Sequence, residues 1–92
     1  MANVRVHEFT VHSNIDRFEL IQISNLASRF ISQIVLSYVD KDEHEHIIDV
    51  KSLLGMIFQP IIPGTRLRLS TKGKDELEAL EAMLEQFSKI QS

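Results

Sequence analysis

The chain has 92 residues, 43% of them hydrophobic and 25% charged, and a formal net charge of −3 at pH 7. This length predicts a single domain, residues 1–92, around one core, and the negative charge argues against a broad nucleic-acid surface. No apolar run is long enough for a membrane span, no secretion signal opens the chain, and there is no cysteine for disulfides or thiol chemistry. We therefore expect a cytoplasmic protein that binds neither nucleic acid nor membrane directly.

The first thirty residues predict a strand followed by a helix. Residues 4–11 are rich in β-branched side chains and read as the first strand. Asp16, with Glu19 three residues later, forms the pattern of a capping box at a helix start. Apolar side chains at three- and four-residue spacings extend this helix to about residue 30 and predict its buried stripe, namely Leu20, Ile23, Ala27 and Phe30.

A hairpin follows, with strands at residues 33–39 and 46–50 joined by the polar turn that begins at Asp40. Ser52 is placed as the N-cap of a short helix. Pro63-Gly64 predicts a turn. In the next strand, residues 65–71, leucines and arginines alternate, so one face of the sheet should be wet.

The final helix is predicted from Lys74 or Asp75 to about Lys89. Its apolar stripe is predicted at Leu77, Leu80, Leu84 and Phe87, with Met83 and Ile90 beside them. The order is therefore β-α-β-β-α-β-α. It predicts an α+β fold in which three helices pack on one face of a four-stranded antiparallel sheet, as an open-faced sandwich.

Four segments carry a resemblance to a known family: Lys51–Met56, Arg29-Phe30, Pro63-Gly64-Thr65 and Asp75–Leu80. They are similar to segments of HPr, the histidine-containing phosphocarrier of the bacterial sugar phosphotransferase system, and the similarity covers nearly the whole chain. The resemblance implies the HPr fold. It also implies a regulatory phosphorylation site at Ser52, followed by apolar residues that meet partners.

The chain departs from this family at the phosphocarrier site. The family has Gly-(Ile/Leu)-His-Ala-Arg-Pro, whereas this chain has Asn-Ile-Asp-Arg-Phe-Glu at residues 14–19. A gapless alignment from Arg29-Phe30 places Asp16 at the position of the phosphorylated histidine. Asp16 and Glu19 would occupy the N–H groups of the helix start and repel an incoming phosphoryl group. We interpret Asp16 as a plain helix N-cap.

Two alternatives in which the chain is a phosphocarrier stay open. Asp16 could accept a phosphoryl group as an acyl phosphate, although such sites usually need a metal and a lysine, and neither is evident nearby. His12 could replace the missing histidine, but it also reads as a surface residue at the end of a strand.

The hairpin turn, Asp40 to His46, is acidic and longer than in the family. His44 and His46, with Asp40, Asp42 and Glu43, raise the question of a metal site. Nothing in the sequence fixes a geometry, so we interpret the turn as a solvated, charged tip and predict neither a metal nor a cofactor.

Ser52 has two compatible interpretations, an N-cap and a phosphorylation site. A partner surface is predicted around it and around the start of the first helix. Its members are Arg17, Phe18, Lys51, Leu53, Leu54, Met56 and Ile57.

Within the family, the chain most resembles the type represented by the catabolite-repression HPr of bacilli, which also lacks the histidine and acts through its serine. It implies a non-enzymatic protein that HPr kinase/phosphorylase modifies at Ser52 and that then binds a transcriptional regulator. The alternatives are an interaction module without phosphorylation, or a phosphocarrier using Asp16 or His12. We expect a monomer or a strand-swapped homodimer, with residues 12–15 as the hinge.

Overall fold

The computed structural model describes residues 4–59 and 61–91, and its elements follow the predicted order. They are β1 (Val4–Thr10), α1 (Arg17–Ala27), β2 (Gln33–Val39), β3 (Glu45–Asp49), α2 (Leu53–Phe58), β4 (Arg66–Lys72) and α3 (Glu76–Gln91). The ends differ from the sequence-based prediction by a few residues, and β2 has the predicted bounds. The α+β open-faced sandwich is thus confirmed.

The four strands form one antiparallel sheet in the order β1-β4-β2-β3. Leu69 of β4 lies opposite Leu36 of β2, which in turn lies opposite Ile48 of β3. All three side chains are buried under the helices, at 0–1% exposure. Arg66 and Arg68 alternate with the leucines of β4 and are exposed on the other face. One wet face is therefore confirmed, because side chains alternate along a strand.

The helices close the core over the buried face of the sheet. Their buried apolar side chains are Ile23 and Ala27 of α1, Met56 of α2, and Ala79, Met83 and Phe87 of α3. The stripe predicted for α3 is partly wrong, because Leu77 is 41% exposed. Leu80 and Leu84 only flank the core. The sequence pattern predicted that the large leucines pack against the core. In the structure the small side chain of Ala79 is buried there instead.

Residues 4–8 of β1 are exposed on both faces of the sheet, and Phe9 and Thr10 are partly buried. Phe9 turns inward and packs its ring on Phe87 of α3, with ring centroids 5.1 Å apart. Val4 and Val6 lie on the open face, at 51% and 48% exposure. The break in alternation at Phe9 thus marks the point where the strand begins to contribute to the core.

Helix α1 ends at Ala27, earlier than the predicted end near residue 30. The N–H groups of Arg29 and Phe30 bond three residues back, to Leu26 and Ala27 at 3.1 and 3.2 Å. Bonds of this spacing tighten and terminate a helix. Phe30 therefore lies beyond the helix, where it only flanks the core.

The connection between β4 and α3 is fixed to the start of β2. The carboxylate of Asp75 accepts hydrogen bonds from the backbone N–H groups of Ile31 and Ser32 at 3.0 and 2.9 Å, and from the Ser32 hydroxyl. Gly73 has φ +149, and a Cβ there would lie 2.6 Å from the Ser32 oxygen. Only glycine fits this crossing without displacing Ser32. These contacts anchor the N-terminal end of α3.

Among residues 4–59 and 61–91, no helix has the length and apolar character needed to cross a membrane.

Candidate phosphorylation and partner-binding site

The start of α1 is closed by two carboxylates. The N–H of Glu19 donates to Asp16 Oδ1 at 2.8 Å, and the N–H of Asp16 donates to Glu19 Oε1 at 3.0 Å. Asp16 has extended backbone dihedrals (φ −80, ψ 171), as an N-cap residue requires. The predicted capping box is confirmed. The side chain at this position thus satisfies the helix start and gives it negative charge.

The loop before α1 is held by the far end of the chain. Gln91, in the last turn of α3, accepts hydrogen bonds at Oε1 from the N–H groups of His12 and Ser13, at 2.6 and 3.1 Å. Its Nε2 donates to the Ser13 carbonyl at 3.4 Å. His12 is exposed and lines a small apolar cavity of about 280 Å³ with Phe87 and other residues of β1 and α3. His12 therefore contributes its backbone to a clamp between the loop and α3.

Arg17 and Phe18, the next two predicted site residues, lie in the first turn of α1 and are exposed. Phe18 is 68% exposed. The first turn of α1 thus presents a cation and an aromatic ring beside two carboxylates.

Ser52 caps α2 through a single hydrogen bond. Its Oγ accepts from the N–H of Gly55 at 3.2 Å, and its backbone is extended (φ −95, ψ 104). The predicted N-cap is confirmed. The residue is half-buried, and a Cβ at position 55 would lie 3.3 Å from the serine oxygen. Glycine at this position thus leaves room around the hydroxyl.

Lys51 bridges α2 to the end of α1. Its Nζ donates to the carbonyl of Phe30 at 2.6 Å, and its own carbonyl accepts from the hydroxyl of Ser24 at 3.2 Å. Because the ammonium group is bound to a backbone carbonyl, this lysine fixes the segment that carries Ser52 against α1. No local sequence pattern predicts this contact.

The apolar side chains of α2 point in two directions. Met56 is only 1% exposed and belongs to the core, so its predicted place in a partner surface is wrong. A six-residue helix must bury one side chain to stay attached, and Met56 is that anchor. Leu54 and Phe58 are 65% and 76% exposed. Half-buried side chains join them to form what we call the α2 surface, which consists of Leu53, Leu54, Ile57 and Phe58.

Residues 41–45 of the hairpin turn are exposed, as predicted for a solvated tip, whereas Asp40 and His46 at its base are partly buried. His46 stacks on Tyr38, with ring centroids 4.8 Å apart and planes inclined by 14°. Its Nε2 lies 2.7 Å from Asp40 Oδ2. The His46 hydrogen bond, followed by that from the His44 N–H, lowers the pKa of Asp40 to about 2. Burial, with a smaller effect from Asp40, raises the pKa of Tyr38. His44 lies in the turn before β3, whereas His46 lies within β3, so the two histidines do not belong to the same strand.

Comparison with known proteins identifies the family of the chain. Residues 21–89 match the family model described as PTS HPr component phosphorylation site. This match begins after the first turn of α1, so it does not include Asp16. The chain is 36% identical over 58 residues to the HPr-like protein Crh of Halalkalibacterium halodurans, covering 63% of each chain. It thus spans less than two thirds of that relative.

Solved structures agree with this result. The fold is similar to that of the histidine-containing phosphocarrier protein of Mycoplasma, with a TM-score of 0.83, 17% identity and 94% of each chain covered. It is also similar to Crh of Bacillus subtilis, with a TM-score of 0.66, 25% identity, and 86% of this chain and 85% of that chain covered. Since the family model matches more than half of the sequence, the chain belongs to the HPr family of the phosphotransferase system.

Proposed function

We propose that this HPr-family protein is regulatory: it is phosphorylated on Ser52, binds other proteins in carbon catabolite regulation, and carries no phosphoryl group on α1. The observation that carries the proposal is the contrast at the two helix starts. Two carboxylates close α1, whereas a neutral hydroxyl with one long hydrogen bond caps α2.

The start of α1 lacks what phosphoryl transfer needs. A neutral imidazole there would accept a phosphoryl group, and free N–H groups would stabilise the product. Here Asp16 supplies a carboxylate, and the N–H of Glu19 already donates to it. A phosphate arriving at this end would meet the charges of Asp16 and Glu19. Coulomb repulsion at such short range disfavours both binding and transfer.

The surroundings of Ser52 suit modification by a kinase. Within residues 4–59 and 61–91 the hydroxyl donates no hydrogen bond that would have to break first, and Gly55 leaves it open on the helix side. The α2 surface lies directly after it in the chain. Its exposed Leu54 and Phe58 provide an apolar contact area that a phosphate on Ser52 would border.

The proposed modifying enzyme is the HPr kinase/phosphorylase that the family resemblance implies. In the reaction the Ser52 oxygen forms a bond to the γ-phosphorus of ATP, the bond from that phosphorus to ADP breaks, and the hydroxyl proton passes to a base of the kinase. The phosphorylated protein would then bind a transcriptional regulator through the phosphate and the α2 surface.

Intact-mass spectrometry tests the proposal. The protein is incubated with ATP and HPr kinase, and separately with phosphoenolpyruvate and enzyme I. Wild type is compared with Ser52→Ala, Asp16→Ala and His12→Ala. We expect one phosphoryl group from ATP that is lost in Ser52→Ala alone, that survives acid, and that resists hydroxylamine as a phosphoserine does.

A phosphoryl group from phosphoenolpyruvate would overturn the proposal. Loss of that group in Asp16→Ala, with sensitivity to hydroxylamine, would establish an acyl-phosphate carrier. Loss in His12→Ala, with sensitivity to acid, would establish a histidine carrier.

A second candidate function is an interaction module that needs no phosphorylation. It is favoured by the exposure of Phe18 and Phe58, two aromatic side chains that stay accessible without any modification. In that case Ser52→Ala would bind its partner as well as wild type does, whereas Phe58→Ser would not.

We also propose that the chain forms a strand-swapped homodimer in exchange with a monomer. The similar Crh of Bacillus subtilis is described as a dimer with a swapped domain. Here β1 is an edge strand that pairs only with β4, and residues 12–15 offer a hinge. Light scattering after chromatography at rising concentrations should show both species. Gln91→Ala, which releases the clamp on the hinge, should raise the dimer fraction.

A further inference from the structure

The hairpin between β2 and β3 gathers four metal-binding side chains that the proposed function does not use. We call them the hairpin cluster: Asp40, Asp42, His44 and His46. Ligand atoms of Asp40, Asp42 and His44 all lie within 4.8 Å of one another. Around Asp40 Oδ2, His44 Nδ1 is at 3.8 Å and His46 Nε2 is at 2.7 Å.

The turn itself orients the Asp40 carboxylate. Asp40 Oδ1 accepts hydrogen bonds from the N–H groups of Asp42 and His44, at 2.8 and 2.9 Å. The backbone N–H of Asp40 donates in return to the His44 carbonyl at 2.9 Å. Because Oδ1 is occupied in this way, Oδ2 is turned towards the two imidazole rings. A carboxylate held by such contacts loses little further freedom when it binds an ion.

We propose that Asp40 Oδ2, His44 Nδ1 and a carboxylate oxygen of Asp42 bind one divalent transition-metal ion of the Zn²⁺ class. His46, stacked on Tyr38, is a positioning residue that holds Oδ2 by its hydrogen bond. Zinc bonds to nitrogen and oxygen are about 2.0–2.2 Å long, which sets neighbouring ligand atoms about 3.3 Å apart in a tetrahedral site. The 3.8 Å separation between His44 and Asp40 is near this distance, and both Asp42 and His44 are exposed and free to adjust.

The imidazole ligand, His44, selects the kind of metal. Ca²⁺ and Mg²⁺ prefer sites built from oxygen alone, whereas imidazole nitrogen favours Zn²⁺, Ni²⁺ and Cu²⁺. The local charge also favours a cation, because Glu43 and Glu45 lie among the cluster residues in the chain and outweigh the single cation Lys41. Mixed imidazole and carboxylate donors are thus the feature that separates this cluster from an ordinary acidic turn.

The cluster borders a cleft of about 750 Å³ between the hairpin and the loop before β4, lined on the far side by Ile62, Pro63 and Arg66. Three protein ligands leave at least one position of a tetrahedral ion open. This open position would take water or a carboxylate of another molecule. The hairpin precedes β3 whereas Ser52 follows its other end, so the site is separate from Ser52 and does not depend on the proposed phosphorylation.

Isothermal titration calorimetry of the 92-residue chain without a polyhistidine tag tests the site. ZnCl₂ is the probe, and MgCl₂ and CaCl₂ are the comparisons. We expect one Zn²⁺ per chain, with much weaker binding of the other two ions. Asp40→Asn and His44→Ala should each weaken Zn²⁺ binding at least tenfold, and His46→Phe, which keeps the stack on Tyr38, should weaken it less. His12→Ala is the matched control and should bind as wild type does, because His12 lies outside the cluster.

Nitrogen-15 NMR of the histidine rings gives a second readout that a structural role would not move. Zn²⁺ should shift Nδ1 of His44 strongly and leave the rings of His7 and His12 unchanged. The proposal is overturned if His44→Ala binds Zn²⁺ as tightly as wild type, if His12→Ala loses as much, or if Mg²⁺ binds equally well. The His44 side chain is 76% exposed, so its removal leaves the fold intact.

Discussion

Helices α1 and α2 both begin with a side-chain N-cap, but the two caps differ in charge and in their number of hydrogen bonds. At α1, Asp16 and Glu19 cap each other with two short hydrogen bonds, and the end carries negative charge. At α2, Ser52 caps with one longer bond to Gly55 and stays neutral. A reciprocal cap made of two carboxylates fixes the helix start and gives it negative charge. A single hydroxyl cap leaves the start of α2 neutral and holds it with fewer hydrogen bonds.

The largest expected effect is on the free energy of unfolding, and it distinguishes the buried Met56 of α2 from the exposed Phe58. Met56→Ala should lower the free energy of unfolding by about 2–5 kcal/mol, because a fully buried side chain leaves a cavity. Phe58→Ala should change it by less than about 0.5 kcal/mol, since the ring is exposed. Urea unfolding followed by circular dichroism measures both. Equal losses would show that α2 has no free face.

The start of α3 adds a third case to this comparison, because its carboxylate makes the stability of the fold depend on pH. Asp75 directly precedes α3 but binds Ser32 and Ile31 instead of capping its own helix, and the Ser32 hydroxyl followed by these N–H groups lowers its pKa. A lowered pKa stabilises the fold above the ordinary carboxyl value of 3.8, and this stabilisation is lost as the pH falls through the folded value.

Asp75→Asn should therefore be less stable than wild type at neutral pH, and the difference should shrink in acid. Thermal unfolding between neutral pH and pH 3 checks this prediction. Glu78→Gln, at an exposed position of the same helix, is the control. A wild-type to Asp75→Asn difference that stays constant over this range would contradict the assignment.

The capping box at α1 is expected to act as a unit. Asp16→Ala should cost about 1 kcal/mol in the free energy of unfolding, and Glu19→Ala less. In the double variant the two losses should not add, because each carboxylate binds the backbone of the other residue. A double-mutant cycle in urea measures the coupling. Strict additivity would show that the two caps are independent.

The smallest effect on stability is expected at Gly55. Gly55→Ala gains up to about 1 kcal/mol of helix propensity, but its methyl group lies 3.3 Å from Ser52 Oγ and must push it aside. We expect almost no net change in the unfolding midpoint, together with a slower initial rate of phosphorylation by HPr kinase. An unchanged rate would show that the kinase approaches the hydroxyl from another side.

Local patterns in the sequence were enough to predict the elements and both helix caps. Asp16 with Glu19, and Ser52 before an apolar run, are signals within four residues, and the structure contains both caps. Strand alternation likewise placed Leu67 and Leu69 in the core. These features depend on backbone geometry that neighbouring residues determine.

The missed features join residues that are far apart in the chain. Asp75 binds Ser32 across 43 residues, and Gln91 binds His12 across 79. No local pattern signals such contacts, because only the packed fold brings the partners together. Met56 was misplaced for the same reason: which side of a short apolar helix is buried depends on where the sheet lies.

The sheet order has a consequence for how the chain folds. The first strand pairs only with β4, so that Thr10 lies opposite Arg66, a partner made late in the chain. The hairpin of β2 and β3 and its pairing with β4 involve shorter loops and lower closure entropy. During synthesis β1 therefore cannot pair until β4, residues 66–72, has been made. Its docking is expected to be the slow step of refolding.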